Sequence, residues 1–346
     1  MGYGAGVVVA EPRSEREAAY GRFVGTPSRA ELERFFFLDD ADKRLVAKRR
    51  GDRNRVGFAL QLGTLRFLGL FLADPTHVPA AVVAYVAGQV GAEDASCLDG
   101  YMRRRATRFE HTAEIVAEYG YRDFASAEKK LTQWLDDLVW TTGDGPTALF
   151  VGAVGWLRER LVLLPGLTTL RRLVGGVRDE VTQRLWDVLA ALLTTRQARL
   201  LERLLIVADS RISDLERLRT GPTTISGKSM VAALERVVEL AGLGFGSLDL
   251  SGVPRRRVVE IARWGMAGKA PALRRHPRAR RLADAAGDRR LSRGEGDRRR
   301  ARAVRRVDGQ RPDGPRAAPV SGREGPPLPA GLARRGASRG RGRRAV

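Results

Sequence analysis

Apolar residues recur every three or four positions along most of the chain from residue 28 onwards, which is the periodicity of amphipathic helices. The first of these segments has Ser28 as a candidate N-cap and Glu31 three residues later, the spacing of a capping box. We find no convincing run of alternating apolar and polar residues that would predict strands. The pattern therefore predicts a mainly α fold, a multi-helix bundle.

Turn-forming residues divide this helical pattern into segments. The divisions fall at Pro79, at the Gly143–Pro146 turn, at Pro165 and at Gly175–Gly176. In the longest segment, the leucine spacing drifts from a strict heptad, which favours a bundle core over a coiled coil. The main predicted helices span residues 55–72, 79–90, 95–105, 107–119, 126–139 and 177–218.

The composition changes sharply after residue 283. The last 63 residues hold 18 Arg but no Ile, Phe, Tyr, Trp or Met, so they lack the apolar surface needed to offset chain entropy. We therefore expect a disordered Arg/Gly/Pro-rich tail. The predicted organisation is a poorly ordered N-terminus at 1–27, a helical region with the strongest basic segments at 28–145, a second helical bundle at 146–283, and the tail at 284–346.

The charge balance indicates a polyanionic partner. Lys and Arg total 62 against 40 acidic residues, a formal net charge of +22, of which the tail carries +11. Such a surplus favours nucleic acid, because each cation that meets a phosphate releases a condensed counterion. The single cysteine, Cys97, excludes an internal disulfide framework, and the longest nearly apolar run, 147–157, is too short to span a bilayer. We expect a protein of a reducing bacterial cytoplasm with no membrane partner.

The strongest local signal is a cluster of five cations between Lys48 and Arg55, directly before an amphipathic helix. The N-terminus of such a helix can bind a phosphate while arginine side chains reach neighbouring phosphates or base edges. On charge alone, a solvated basic face explains this segment about equally well. The candidate phosphate contacts are Arg49, Arg50, Arg53 and Arg55, with Arg66 further along the helix, and the candidate base contacts are Asn54 and Gln61.

A second basic patch follows the predicted helix at 79–90. The helices predicted at 79–90 and 95–105, joined by residues 91–94, suit a helix-turn-helix arrangement, although many helical bundles contain such pairs. The aromatic residues Tyr119, Tyr121, Phe124 and Trp134 are predicted to belong to the core and not to stack on bases. The candidate DNA contacts of this patch and its extension are Arg103, Arg104, Arg105, Arg108, Arg122, Lys129 and Lys130.

We identify no complete catalytic or metal site. The histidines His77, His111 and His276 are far apart and no cysteine pair accompanies them, so a zinc site is not predicted. The pairs Asp39-Asp40 and Asp136-Asp137 would need further carboxylates to bind Mg²⁺, and such pairs are more often capping or solvated groups. No Ser–His–Asp set stands out. We expect no catalytic residue, no metal and no cofactor.

Several blocks of sequence, in continuous order over residues 28–283, resemble the N-terminal region of the Tn-three family of replicative bacterial transposases. This region of the family is often labelled a domain of unknown function. The blocks are RRGDRNRVGFALQLGTLRFLG, VPAAVVAYVAGQVG, YMRRRATRFEHTAEIVAEYGYRDF, LRERLVLLPGLTTLRRLV and VPRRRVVEIARWGMAGKAPALRRHPRARRLA.

The resemblance implies that this region recognises the terminal inverted repeats of a transposon. It also implies that catalysis belongs to a C-terminal part of the family's proteins, an RNase-H-like fold whose DDE carboxylate triad binds two Mg²⁺. Nothing in this chain matches that catalytic part, so no catalytic residue is carried over. We interpret the sequence as a truncated transposase fragment that binds double-stranded DNA at transposon ends and is not itself an enzyme, with a homo-oligomer left open.

The tail at 284–346 does not resemble the family. Codons chosen for residues 284–293 and read one base later encode an apolar helical segment of the family's kind, and this reading can be continued through residue 304. The result is consistent with a one-base frameshift near Ala283. Two alternative functions stay open. One is a stand-alone helix-turn-helix DNA-binding regulator, and the other is an RNA-binding protein that uses the basic tail.

Overall fold

The computed structural model describes residues 15–287, except 75, 93–97, 99, 102, 104, 208–211, 220–225, 243, 246 and 247. In this part of the chain the regular structure is α-helical and no strand is present, which confirms the mainly α class. Two isolated β-bridges join Arg122 to Val162 and Val207 to Ser213. From residue 288 onwards, the tail that we predicted to be disordered lies outside the described residues.

The helices follow one another along the chain in three groups. The N-terminal group is α1 (Glu15–Ala18), α2 (Arg29–Phe35), α3 (Asp40–Ala47), α4 (Asp52–Leu68), α5 (Ala80–Val90) and α6 (Arg105–Tyr119). The middle group is α7 (Phe124–Thr142), α8 (Pro146–Glu159) and α9 (Leu167–Ala191). The C-terminal group is α10 (Thr195–Leu204), α11 (Asp214–Arg219), α12 (Gly227–Gly242), α13 (Arg255–Ala267) and α14 (Ala270–Arg274), followed by a helical segment at 278–287.

Side-chain caps start several of these helices. The Ser28 hydroxyl accepts a hydrogen bond from the Glu31 amide at 3.3 Å, and the Glu31 carboxylate accepts one from the Ser28 amide at 2.8 Å. This confirms the predicted capping box of α2. Asp39 caps α3 in the same way, and Thr194 caps α10. Each cap satisfies amides that a helix N-terminus otherwise leaves without a partner.

Two predicted helix boundaries in the middle of the chain are wrong. α9 continues through Gly175 and Gly176, although each glycine costs a helix about 1 kcal/mol relative to alanine. The buried face of α9 offsets this cost because it packs into a core on both sides of the glycines, with Leu170, Val174, Val177 and Val181. Conversely, the helix predicted at 177–218 is divided between α9, α10 and α11, since the Thr194 cap begins a new helix.

α4 is the central helix of the N-terminal group. Every residue from Val56 to Leu65 is buried, because α2, α3, α5 and α6 all pack against this helix. A helix that is apolar on all sides is typical of such a central position. α7, α8 and the first half of α9 form a second core cluster, and the C-terminal group contributes two more.

The packing differs from the predicted organisation in three places. α7 packs against α8 and α9, so these contacts run across residue 145. In the segment 17–27, Tyr20 donates a hydrogen bond to the Pro165 carbonyl at 2.6 Å, and Phe23 stacks on Phe67 with ring centroids 5.3 Å apart. Finally, residues 284–286 are buried, so the packed part of the chain continues beyond 283.

Candidate nucleic-acid interface

The basic segment Lys48–Arg55 forms the turn between α3 and α4 and the first turn of α4. The turn depends on Gly51, whose φ of 77° lies in a region that favours glycine, and this allows the chain to turn from one helix into the next. The side chains of Lys48, Arg50 and Arg53 are exposed. No carboxylate in the described part of the chain pairs with any of these three cations.

Other members of this segment are held by the protein itself. Arg49 forms an ion pair with Glu114 at 2.6 Å, and its guanidinium lies 4.9 Å from the centre of the Phe58 ring, so only 15% of its side chain is exposed. Arg55 pairs with Asp52. Arg49 therefore links α4 and α6 through its contacts with Phe58 and Glu114. We do not use it as a phosphate contact in the proposed interface.

Two further predicted DNA contacts make hydrogen bonds within the protein. Gln61 is 3% exposed and donates a hydrogen bond to the Tyr101 hydroxyl. Arg66 makes two hydrogen bonds of 2.8 Å to the buried carboxylate of Asp42. Burial alone would raise the pKa of Asp42, but hydrogen bonds from Arg66 and Tyr119 lower it below its usual range. Gln61 is buried and Arg66, with 25% of its side chain exposed, is paired with Asp42, so we do not use either residue in the proposed DNA-binding surface.

The second basic segment lies directly beside the first turns of α4. A Cβ atom on Gly57 would lie 2.5 Å from the Tyr101 ring, so only glycine allows this approach. Arg53 lies one turn before Gly57 on α4, and a Cβ atom on Gly100 would lie 3.2 Å from Cδ of Arg53. The exposed Arg103 follows two residues after Tyr101. The fold therefore brings the two predicted patches together, and we call Lys48, Arg50, Arg53 and Arg103 the α4 surface.

A buried hydrogen-bond network stabilises the contact between Tyr101 and α4. The Tyr101 hydroxyl, which receives the hydrogen bond from Gln61, lies 2.8 Å from Nδ1 of His111. Burial, together with the positive charge of Arg49, lowers the pKa of His111 to about 4. His111 is therefore neutral at pH 7, and its tautomer decides whether Nδ1 donates or accepts the hydrogen bond with the Tyr101 hydroxyl. Nothing in the spacing of these residues indicated the network, because it joins elements that are distant in sequence.

Before Arg105, the described residues of the helix predicted at 95–105 are not α-helical. Residues 98, 100, 101 and 103 have 3₁₀ geometry, while residues 93–97, 99, 102 and 104 lie outside the described residues. α6 begins at Arg105, whose side chain is likewise not described. Arg108 donates to the Ala73 carbonyl and lies 5.0 Å from the centre of the Phe109 ring. The helix-turn-helix arrangement thus stays a prediction.

The remaining candidate cations belong to the region around α7. Arg122 is exposed and donates a hydrogen bond to the Arg160 carbonyl at 3.0 Å. Lys129 and Lys130 are exposed on α7. The four aromatic residues that we assigned to the core all pack, partly buried, against the first or second core cluster, which confirms that interpretation: Tyr119, Tyr121, Phe124 and Trp134.

The acidic pairs have structural roles. Asp39 caps α3, and Asp136 pairs with Arg184 at 2.7 Å. Throughout the part of the chain that the structure describes, no three His, Cys, Asp or Glu side chains are grouped as a metal site would require. No described helix is both long and apolar enough to cross a membrane.

The sequence is similar to known proteins over this same region. Residues 13–177 match a family described as domain of unknown function DUF4158. The transposase for transposon gamma-delta of Escherichia coli (strain K12) is 39% identical over 273 residues, which cover 78% of this chain and 27% of that transposase. Over these 273 residues, this chain is homologous to that transposase. The α4 surface lies inside the DUF4158 match.

Other transposases extend this relationship. The transposase for transposon Tn1546 of Enterococcus faecium is 29% identical over 238 residues, covering 68% of this chain and 24% of that protein. The transposase for transposon Tn4556 of Streptomyces fradiae is 53% identical over 73 residues, covering 21% of this chain and 8% of that protein. The chain spans about a quarter of the length of the first two relatives. The homology confirms the resemblance and supports a transposase-related role.

Proposed function

We propose that this chain binds double-stranded DNA at transposon ends through the α4 surface. The observation that carries the proposal is the packing of Gly100 and Tyr101 against α4. These two residues directly precede the second basic segment, which lies far from the first in sequence. The cations of this surface are exposed and have no carboxylate partner among the described residues, so they meet phosphates without breaking an internal ion pair. Each such contact releases counterions from the duplex.

Within this proposal, phosphate contacts supply affinity and position, and specificity requires a group that reaches a base edge. Asn54 is half-exposed on the same turn as Arg53, and its side-chain amide donates a hydrogen bond to the Arg50 carbonyl at 2.9 Å. This hydrogen bond uses an N–H and leaves the side-chain oxygen as an acceptor. Asn54 is therefore our candidate base contact, since Gln61 is buried.

We further propose that these residues recognise DNA ends and do not cleave them. The proposal is supported by the family resemblance, which assigns the DDE carboxylates to a different part of the transposases. The test is an assay of nuclease and strand-transfer activity of this chain alone with Mg²⁺. Cleavage or joining of transposon-end DNA by the purified chain would contradict the proposal.

The DNA-binding proposal is tested by gel shifts with transposon-end DNA and scrambled DNA at several salt concentrations. We expect tighter binding to the transposon end. The variant Arg53→Gln should weaken binding to both DNAs about fivefold and reduce the salt slope by about one. Arg29→Gln, an equal charge change on the exposed face of α2, is the control and should bind normally. Equal affinity of the unaltered chain for both DNAs would exclude specific end recognition.

A shortened chain without the basic tail tests whether binding depends on the tail or on the α4 surface. The chain should end at Gly287 and not at residue 283, because residues 284–286 are buried and their removal would disturb the core. Retained discrimination between transposon-end and scrambled DNA supports the α4 surface. Loss of all nucleic-acid binding would support the alternative of an RNA-binding protein that uses its tail.

A further inference from the structure

A cavity of about 670 Å³ opens between residues 19–24, α2, the end of α4 and α8. This volume lies within the range of small-ligand sites in proteins. Its apolar wall includes the aromatic rings of Phe35, Phe67 and Phe150, and three arginines also line it, Arg22, Arg34 and Arg158. None of these residues belongs to the α4 surface.

The three arginines have no carboxylate partner among the residues that the structure describes. Arg158 donates hydrogen bonds to the carbonyl oxygens of Arg66 and Phe67 at 3.1 and 2.6 Å, which orients its guanidinium beside the last turn of α4. Arg34 lies with its guanidinium 5.0 Å from the centre of the Phe35 ring. Glu31 also lines the cavity, but its carboxylate accepts two hydrogen bonds from Ser28, both at 2.8 Å. The lining therefore carries a local surplus of positive charge.

The arginines also affect one another. The pKa of Arg158 lies below its usual range, first because the side chain is partly buried and also because the positive charge of Arg34 is near. The hydrogen bonds that hold Arg158 come from neutral carbonyl oxygens, which do not neutralise its charge. An anion bound between the two guanidiniums would remove this repulsion.

We propose that this cavity binds a nucleotide unit, with its phosphate on Arg34 and Arg158, Arg22 alongside, and its base against the aromatic wall. Planar guanidinium groups match the geometry of phosphate oxygens, and bases of any sequence stack on aromatic rings. An uncharged ligand would cover the apolar wall but leave the arginines without a negatively charged partner. An inorganic anion would pair with the arginines but leave the apolar wall exposed to water. A nucleotide satisfies both surfaces, whether it is free or part of single-stranded DNA.

Titration calorimetry of the full chain with three probes tests the ligand class. The probes are a 5′-phosphorylated single-stranded oligonucleotide, a free deoxynucleoside monophosphate, and the same deoxynucleoside without phosphate. We expect the deoxynucleoside to bind at least about tenfold more weakly than its monophosphate, because it makes no charge-assisted hydrogen bond. Binding of the monophosphate supports a free nucleotide as ligand, and binding of the oligonucleotide alone supports a unit of DNA. Absence of binding by both phosphorylated probes would overturn the proposal, as would equal affinity for deoxynucleoside and monophosphate.

Variants on α2 test the site. Arg34→Gln should weaken binding of the phosphorylated probe about tenfold, whereas Arg29→Gln, the same change on the same helix outside the cavity, should leave it unaltered. Ala30→Trp places a large side chain at the cavity wall and should block binding while all charges stay in place. Arg34 and Ala30 are exposed, so unchanged thermal unfolding serves as the folding control.

Arg53→Gln separates this proposal from duplex binding, because it alters the α4 surface and not the cavity. It should weaken duplex binding more than oligonucleotide binding, whereas Arg34→Gln should do the reverse. Equal losses in Arg34→Gln and Arg29→Gln, or a loss confined to Arg53→Gln, would show that binding occurs elsewhere and would overturn the cavity site.

Discussion

Two of the runs of three cations in this protein lie at the start of a helix, and a comparison of the two shows how the fold uses such runs. Lys48–Arg50 leads into α4, and Arg255–Arg257 begins α13. In each run one arginine is turned into the protein to meet a carboxylate: Arg49 pairs with Glu114, and Arg257 pairs with Glu260. The sequence of each run does not distinguish these inward arginines from their exposed neighbours.

The two inward arginines differ in depth. Arg257 is 2% exposed, and its guanidinium lies 3.5 Å from the Thr182 hydroxyl on α9 and next to Gly143 at the end of α7. Arg49 lies nearer the edge of the α4–α6 packing, and its exposed neighbour Arg50 belongs to the α4 surface. Successive helical residues point about 100° apart, so the three cations at the start of α13 point in different directions and one of them faces the neighbouring helices. In the turn before α4, the same division between inward and outward arginines arises without a helix. The comparison shows that a basic run predicts a basic surface only in part.

The largest expected effect comes from breaking the deeper pair. Arg257→Met should destabilise the protein by about 3 kcal/mol, because it leaves Glu260 half-buried without its cation. Burial already raises the pKa of Glu260, and Arg257 opposes that rise. Urea unfolding measures the loss. Arg256→Met, the exposed neighbour on α13, is the control and should change stability by less than about 0.5 kcal/mol. Similar losses in both variants would remove the distinction between inward and outward arginines.

The next effect depends on pH and concerns His111, beside Arg49. The pKa of His111 is about 4 in the folded protein and 6.5 in the reference state, so the unfolded chain binds more protons between these values. The contribution of His111 to stability should therefore fall by as much as about 3 kcal/mol as the pH falls from 6.5 to 4. His111→Asn removes this titration, so the difference in unfolding free energy between variant and unaltered chain should shrink across that window. A constant difference would contradict the burial of a neutral histidine.

Asp284 provides a contrast in the C-terminal region. Burial raises its pKa to about 6, despite the opposing effect of Arg280, so its contribution has the opposite sign. The folded protein binds more protons than the unfolded chain between about pH 4 and 6, and this favours folding at the lower end of that window. Asp284→Asn should remove this second titration. The double variant with His111→Asn should lack both contributions.

The smallest expected effects separate Arg49 from Arg50. Arg49→Gln should lower stability by about 1–2 kcal/mol, because it leaves Glu114 without its ion pair and removes the contact with Phe58. It should leave duplex affinity unaltered. Arg50→Gln should do the reverse, with unaltered stability and an affinity lowered about threefold. Urea unfolding measures the stability of both variants, and gel shifts measure their duplex affinity. Matching effects of the two variants would show that the two side chains share one role.

Local features of the fold were predictable from sequence. The capping box of Ser28 and Glu31 depends on residues three apart, and the glycine and proline positions around 143–146 separate α7 from α8. The sequence did not indicate that Gln61 is buried or that Arg66 pairs with Asp42, because both residues lie on α4, which other helices surround. Helical periodicity marks one apolar face, and it does not reveal that polar residues on the remaining faces are covered as well.

The amino-acid sequence by itself determined the helical class, several helix starts and the presence of two basic segments near α4. Only the tertiary structure decided that these segments meet, through Gly57 against Tyr101, and that Arg49 faces Glu114. Hydrophobic periodicity and caps act within a few residues, so they can be read along the chain. The direction of a charged side chain depends on which carboxylate or ring the fold places opposite it, and that partner lies 65 residues away for Arg49.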